Sequence, residues 1–386
     1  MPPDTAPAAA HAGAFTAQEY AERLQRLRQR LAAATVDVAL FDEIESMTWI
    51  SGYGNSENRW RCVGVPLAGE PFFVIRALDA TPCRQRTWIA EVNAYADWDD
   101  PFAVLAAALQ RRGLSTARIG LDFMSYGMPL ARFEAMKRAL PQCSFVDLGP
   151  LAWELRLLKS AAEIQLLTRA AAIADQAMQR AADACVPGAS QRDAARIAAA
   201  AFIELGADPG PPGPISAGRG WDFLHGHLDE APLAAGDVVH IELIPRVAGY
   251  SARLMRCVAV GAAGAATIDA TQRLVECQDR QIAAMHPGAD AAAVDAVLRR
   301  GLLDSGLRTS FDHISGYTLG FYAAAGPRTS DFTRIFHPQA RWTLEPGMVF
   351  HMYASAAGVS ISETVHVRAD GPQCLSRLPR ELFVRP

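Results

Sequence analysis

The chain has 386 residues, 50% hydrophobic and 20% charged, with a formal net charge of −4 at pH 7. That length suggests two domains, and the near balance of charge points to neither nucleic acid nor another polyanion as partner. No apolar run reaches the roughly 18 residues of a membrane span, and seven cysteines without CxxC spacing argue against a disulfide framework or zinc knuckle and for a reducing cytoplasm.

In chain order, "MPPDTAPAAAHAGAF" lacks a basic segment followed by an apolar core, so residues 1–14 read as a disordered tail and not a signal peptide. A helix follows in "FTAQEYAERLQRLRQRLAA": Thr16 and Glu19 stand at capping-box spacing, and Tyr20, Leu24, Leu27 and Leu31 share one face. Strands are predicted at "VDVALF", "VGVPLAG" and "PFFVIRA" and, after the helix "PFAVLAAALQRRG", at "ARIGLDF" and "SFVDLG". Strands interleaved with helices predict an α/β domain over 15–155. A second unit, 156–386, opens with another capping box, Ser160 and Glu163, launching a long helix, and "QRDAARIAAAAFIELG" gives a shorter one. The Gly- and Pro-rich stretch that follows reads as a long loop. Then come the hairpin "HIELIPRVAGYSARLMR" (240–256), a helix over 289–305, and closing strands in "GMVFHMYAS" and "GVSISETVHVRADG". The fold class is α/β, with α+β character in the second unit.

Three stretches carry a resemblance: "LRLLKSAAEI", "GDVVHIELIPRVAGYSARLMR" and "LEPGMVFHMY…GVSISETVHV". Together they resemble the creatinase/aminopeptidase P superfamily (M24). The resemblance implies a creatinase-type N-terminal α/β domain followed by a pita-bread catalytic domain, a homodimer and a small-molecule substrate. Its members commonly bind two divalent ions. Their ligand positions fall here at Glu242, Arg253, Tyr317, Tyr353 and Ser362. One acid and one cation stand where two ions need about five donors, and a guanidinium repels a metal and cannot ligate one. We therefore expect no metal and no other cofactor. The sequence is most similar to metal-independent, ectoine hydrolase-type members in "IEL", "LEPGMVFH", "ISET" and "CLSRLPRELFV". Creatinase's two cation-gripping glutamates correspond to Met255 and Tyr353, which disfavours creatine itself.

Opening an amidine needs a nucleophile, an acid for the departing nitrogen, and a cradle for the cation. His225 matches the family's catalytic histidine and is the expected proton shuttle, or else a loop histidine bonded to backbone. Glu242 is the expected nucleophile or base, or the partner of Arg253 in a structural ion pair, or both, since an arginine neighbour favours the ionised carboxylate. His313 matches a pocket-lining histidine, or caps its turn. Tyr317 and Tyr353 should point into the former metal pocket as hydroxyl donors and cage walls, and Phe321, Tyr322, Trp221 and Phe223 are further aromatic candidates or plain core. Arg328 is a candidate clamp for a substrate carboxylate, or a solvated loop residue. His351 and Glu363 flank ligand positions and are expected to point away, though Glu363 is kept as a substrate-binding candidate. The polar stretch "YGNSENRWRC" (53–62) is a candidate lid toward a partner's pocket. The alternative functions are a non-catalytic member that binds a ligand or partner through the same pocket, and a metallopeptidase of the aminopeptidase P type.

Overall fold

The structure is a computed structural model that describes residues 14–54, 59–219, 224–323 and 333–386. Two compact units divide between Leu155 and Arg156. The first runs α1 Ala17–Ala33, β1 Val38–Phe41, α2 Ile44–Ser51, β2 Cys62–Pro66, β3 Phe72–Arg76, α3 Ala77–Arg86, β4 Glu91–Tyr95, α4 Pro101–Gln110, β5 Arg118–Leu121, α5 Leu130–Ala139, β6 Ser144–Asp147 and α6 Leu151–Leu155. Its described strands form one mixed sheet in the order β4-β3-β2-β1-β5-β6. Strand alternation divides the apolar side chains between two cores. Ala39, Val63, Val65, Phe73 and Ile75 join Leu27 and Trp49 on one face, while Val38, Leu40, Phe72 and Val74 join Phe102, Leu105 and Met136 on the other.

Thr16 does cap α1, accepting the Glu19 amide at 3.2 Å. Only half of the expected capping box forms there, because the Glu19 carboxylate turns to Arg23. Five elements lie outside the strands and helices read from sequence: α2, α3, β4, α5 and the short α6. Nearly all of α2 is buried, so it has no polar face to give a helical period. Pro82 interrupts the pattern of α3, α5 buries only Met136, and β4 is a half-exposed edge strand.

The second unit runs α7 Ala161–Asp183, α8 Gln191–Glu204, β7 Ile215–Gly218, β8 Val238–Leu243, β9 Arg246–Val247, β10 Tyr250–Ser251, β11 Leu254–Val260, α9 Ala265–Ala283, α10 Ala291–Asp304, β12 Gly316–Thr318, β13 Ile335–Phe336, β14 Val349–Ala356, β15 Val359–Arg368, β16 Gly371–Cys374 and β17 Phe383–Arg385. Among the described residues the strands form a sheet β17-β11-β8-β7, a second sheet β13-β12-β14-β15-β16, and the small pair β10-β9. The Ser160 capping box is complete. The supposed long loop contains β7, which pairs antiparallel with β8. Helix α9 escapes the sequence reading because Thr271, Gln278 and Gln281 are buried along with Leu274 and Cys277. Its inward amides donate across the core: Gln278 to the Met352 carbonyl at 3.2 Å and Gln281 to Ser315 Oγ at 2.9 Å. The β9–β10 turn has positive φ at Ala248 (49°) and Gly249 (82°), the geometry of a tight hairpin turn. No helix among the described residues is long and apolar enough to cross a membrane, and the seven cysteines are free.

Candidate active site

Antiparallel register decides what faces the site. On β8 and β11, Glu242 lies opposite Met255 and Ile241 opposite Arg256. On β14 and β15, Tyr353 lies opposite Ser362, His351 opposite Thr364 and Met352 opposite Glu363. With a side-chain period of two, His240 shares the face of Glu242, and His351 that of Tyr353. Met352 and Glu363 turn to the reverse face.

The polar centre is buried. Glu242 and Arg253 are 3% and 4% exposed, and Arg253 Nη1 lies 3.4 Å from Glu242 Oε1. The same nitrogen donates to the Tyr317 hydroxyl, and the guanidinium lies 5.1 Å from the Tyr317 ring centroid and 5.8 Å from that of Tyr322. Tyr317 Oη is in turn 2.9 Å from His351 Nδ1. Tyr353 packs near-parallel to His351 at 5.4 Å and to His313 at 5.7 Å, and edge-on to Tyr317 at 6.0 Å. Burial pushes the Tyr353 phenol up, and the Glu242 charge adds to the effect, so this hydroxyl stays protonated.

Both nitrogens of His313 are committed. One bonds the Ile314 carbonyl at 2.9 Å and the other meets Arg308 Nη1 at 2.6 Å. Burial, with Arg308 and Arg299 adding, lowers its pKa. His313 is thus a neutral wall of the site and not a free proton carrier. His225 is exposed and near enough to His240 that its charge lowers the pKa of that ring. His240 is fully enclosed, and burial, more than His225, pushes it down to about 3. Its Nδ1 lies 2.5 Å from Ser360 Oγ. His351 is held well below the ordinary histidine range by burial first, then by Arg253 and His240.

Arg253, Tyr317, Tyr353, Glu242 and His313 therefore meet in one cluster, with Tyr322 at its rim and His225 beyond His240. Glu363 does not join them. It pairs with Arg256 at 2.7 Å on the reverse face of β15, because it is one residue out of phase with Ser362. Ser362 Oγ accepts the Met255 amide at 2.8 Å. Phe321 packs edge-on against Tyr250 at 5.7 Å. Arg328, Trp221 and Phe223 lie outside the described residues, as do residues 55–58 of the candidate lid; Trp60 of that stretch is core, donating to Asp42 at 3.1 Å. The sequence reading turned His351 away from the pocket. It lies two residues from Tyr353, not one, so counting the strand period would have placed it. His240, which shares the face of Glu242, has no role in the sequence reading.

The donor set does not fit a dinuclear metal centre. A guanidinium occupies the place of the second hairpin carboxylate and holds the first, and two phenol rings and a backbone-bonded serine stand at the remaining positions. Among the described residues no group of three or more His, Cys, Asp or Glu side chains is placed to hold a metal ion.

The sequence profile of metallopeptidase family M24 matches residues 165–369, and that of the creatinase/prolidase N-terminal domain matches 23–158. The chain is 25% identical to ectoine hydrolase of Halomonas elongata, over 96% of this chain and 98% of that protein. It is 27% identical to the "probable dipeptidase PepE" of Mycobacterium tuberculosis, over 96% and 98%. Among solved structures, dipeptidase PepE of Mycobacterium ulcerans superposes with a TM-score of 0.78 at 23% identity, over 96% of this chain and 99% of that one. A prolidase of Thermococcus sibiricus superposes at 0.82 with 21% identity, over 96% and 100%.

Proposed function

Since the chain belongs to metallopeptidase family M24, we propose that it is a hydrolase that has exchanged the family's metal chemistry for a metal-independent one, opening a C–N bond in a small cyclic amidine or related compound. The observation that carries this reading is the Glu242–Arg253 pair, with Tyr317, Tyr353 and Ser362 at the other ligand positions.

In this mechanism the amidinium rests against the aromatic faces of Tyr353 and Tyr317. Glu242 either attacks its central carbon or takes a proton from the water that does so. Arg253 fixes the carboxylate's orientation. His225 delivers a proton to the departing ring nitrogen, the ring C–N bond breaks, and water's oxygen ends on the carbon. Amidinium and water thus become an amide and an ammonium group. His225, on the surface side of His240, is suited to exchange protons with solvent.

The test is turnover of ectoine and 5-hydroxyectoine by chelator-treated protein, read by mass spectrometry, beside Glu242→Ala. Ring opening that survives chelation and disappears in the variant is the expected result. Activity that vanishes with chelator and returns with manganese refutes the reading, as does hydrolysis of Xaa-Pro dipeptides by the metal-loaded protein alone. A second reading, a non-catalytic ligand binder, draws on the burial of Glu242 against Arg253, which restrains the carboxylate; saturable binding with no turnover of any amidine would identify it. As part of the first reading the protein is a cytoplasmic homodimer, and light scattering measures its mass.

A further inference from the structure

Arg308 has no part in this mechanism, yet it reaches the wall of the site. It lies in the turn after α10, where its amide donates to the Leu302 carbonyl at 3.2 Å. Its guanidinium is held from two sides. Nε donates to the Ser310 carbonyl at 2.9 Å within the turn, and Nη1 to the Ser355 carbonyl at 3.3 Å. Ser355 lies on β14, the strand of Tyr353. The guanidinium carbon is 4.7 Å from the Phe311 ring centroid, a cation–π distance. One arginine thus ties the turn bearing His313 to the strand bearing Tyr353.

Its remaining contact decides the state of His313. Nη1 lies 2.6 Å from His313 Nε2. A guanidinium only donates, and it keeps its charge in a protein, so Nε2 must present its lone pair. The ring hydrogen is then on Nδ1, and there it meets the Ile314 carbonyl at 2.9 Å. Together the two contacts permit one uncharged tautomer. Arg308 takes the ring at its edge nitrogen, while Tyr353 is stacked on it at 5.7 Å and 17°. Arg299 has a different task. From α10 it donates to the His313 carbonyl at 3.0 Å, and Asp295 fixes it with contacts of 2.7 and 3.0 Å. Arg299 therefore places the backbone of the turn, and Arg308 places the ring. Burial acts first to keep the ring uncharged; the Ile314 carbonyl opposes it, Arg308 and Arg299 reinforce it, and Asp312 opposes it. The Tyr353 phenol beside the ring stays protonated.

An aromatic face attracts a cation, whereas an imidazolium repels one. We infer that Arg308 is a positioning residue that sets specificity: it fixes His313 as the Nδ1–H tautomer, stacked on Tyr353, so that this wall of the site offers an uncharged surface to a cationic ligand. What the wall accepts rests on the amidine reading above; how the wall is built does not. Without Arg308, Nε2 is free to take a proton, while Nδ1–H keeps the Ile314 carbonyl, a bond that favours the charged ring.

The experiment uses the full chain labelled with 15N-histidine, with the His313 signals assigned by His313→Gln. Acetamidinium is the cationic probe, and calorimetry reports its affinity. In the wild type, His313 should show one neutral form, protonated at Nδ1, from pH 8 to pH 6. In Arg308→Met, Nε2 should gain a proton over the same interval. The loss of acetamidinium affinity from pH 8 to pH 6 should then exceed that of the wild type by about fivefold or more, from repulsion between two nearby charges. Arg308→Lys returns a charged donor and should restore both the spectrum and the pH dependence. A wild-type ring protonated at Nε2, or an Arg308→Met ring unchanged down to pH 6, overturns the inference and leaves the amidine reading standing. So does an equal pH dependence of affinity in the two proteins. The expected spectra with acetamidinium bound by none of the proteins uphold the setting of the ring by Arg308 and sink the amidine reading. The wild-type spectrum needs no variant, so the inference stays open to refutation even if Arg308→Met fails to fold.

Discussion

A carboxylate as deeply enclosed as Glu242 is costly unless something neutralises it, and Arg253, 3.4 Å away, supplies the charge. Removing one member of such a pair leaves the other buried and uncompensated. Arg253→Ala should therefore lower stability by about 3–5 kcal/mol, whereas Glu242→Met with Arg253→Met should recover most of the loss. Urea unfolding of the two variants beside the wild type measures both effects, and a double variant as unstable as the single one would contradict the pairing. The pair was one of two roles left open for Glu242, because strand alternation shows which residues share a face but not how far a long side chain reaches across it. His313 shows the converse. Its place in the pocket wall was an open alternative in the sequence, but the loss of both its nitrogens to Arg308 and Ile314 depends on a chain segment folded back beside it.

At the scale of elements, a shift of one residue on β15 separates the site from the scaffold. Ser362 faces Met255 and the pocket side, while Glu363 meets Arg256, whose guanidinium also donates to the carbonyls of Ser362, Leu378 and Pro379. Glu363→Ala should destabilise by about 3–5 kcal/mol and leave kcat/KM of the folded enzyme unchanged; a selective loss of activity at full stability would return Glu363 to the site. In the first unit, Glu43 precedes α2 and is buried. Its pKa is pushed up to about 7, by burial first, with the Trp153 hydrogen bond opposing and Asp122, Asp42 and Glu45 reinforcing. Between the ordinary carboxylate range and pH 7 the folded chain retains a proton that the unfolded chain releases. This part of the stability is complete below about pH 4.5 and declines as pH rises through 7. Glu43→Gln should flatten that decline and stabilise the protein at pH 8 by roughly 1–3 kcal/mol. Melting curves of both proteins from pH 5 to 8 provide the comparison. None of this is legible in "FDEIES", since the carboxylates that crowd Glu43 include Asp122, far along the chain.

At the scale of the molecule, the proposal predicts indifference to metal. A ligand of the folded state raises stability with its concentration, by about 2.7 kcal/mol at a hundredfold excess over Kd. Neither chelator nor manganese, cobalt or zinc at millimolar concentration should move the melting temperature, and a rise with one ion that chelator reverses would count against the unsuited donor set. The α/β character, the creatinase-type and M24 halves, and the exchange of ligand types at Glu242, Arg253, Tyr317, Tyr353 and Ser362 were fixed by the sequence itself. These are properties of local pattern and residue identity: apolar period, caps, turns and side-chain chemistry at recognisable positions. Helix α9, the commitment of His313 and the reverse-face pairing of Glu363 were decided only by the tertiary structure. For His313 this is the fold of its own loop, which brings Arg308 and Ile314 to its ring; the others depend on elements distant in the chain, where polar side chains turn inward and no periodic pattern records the contact.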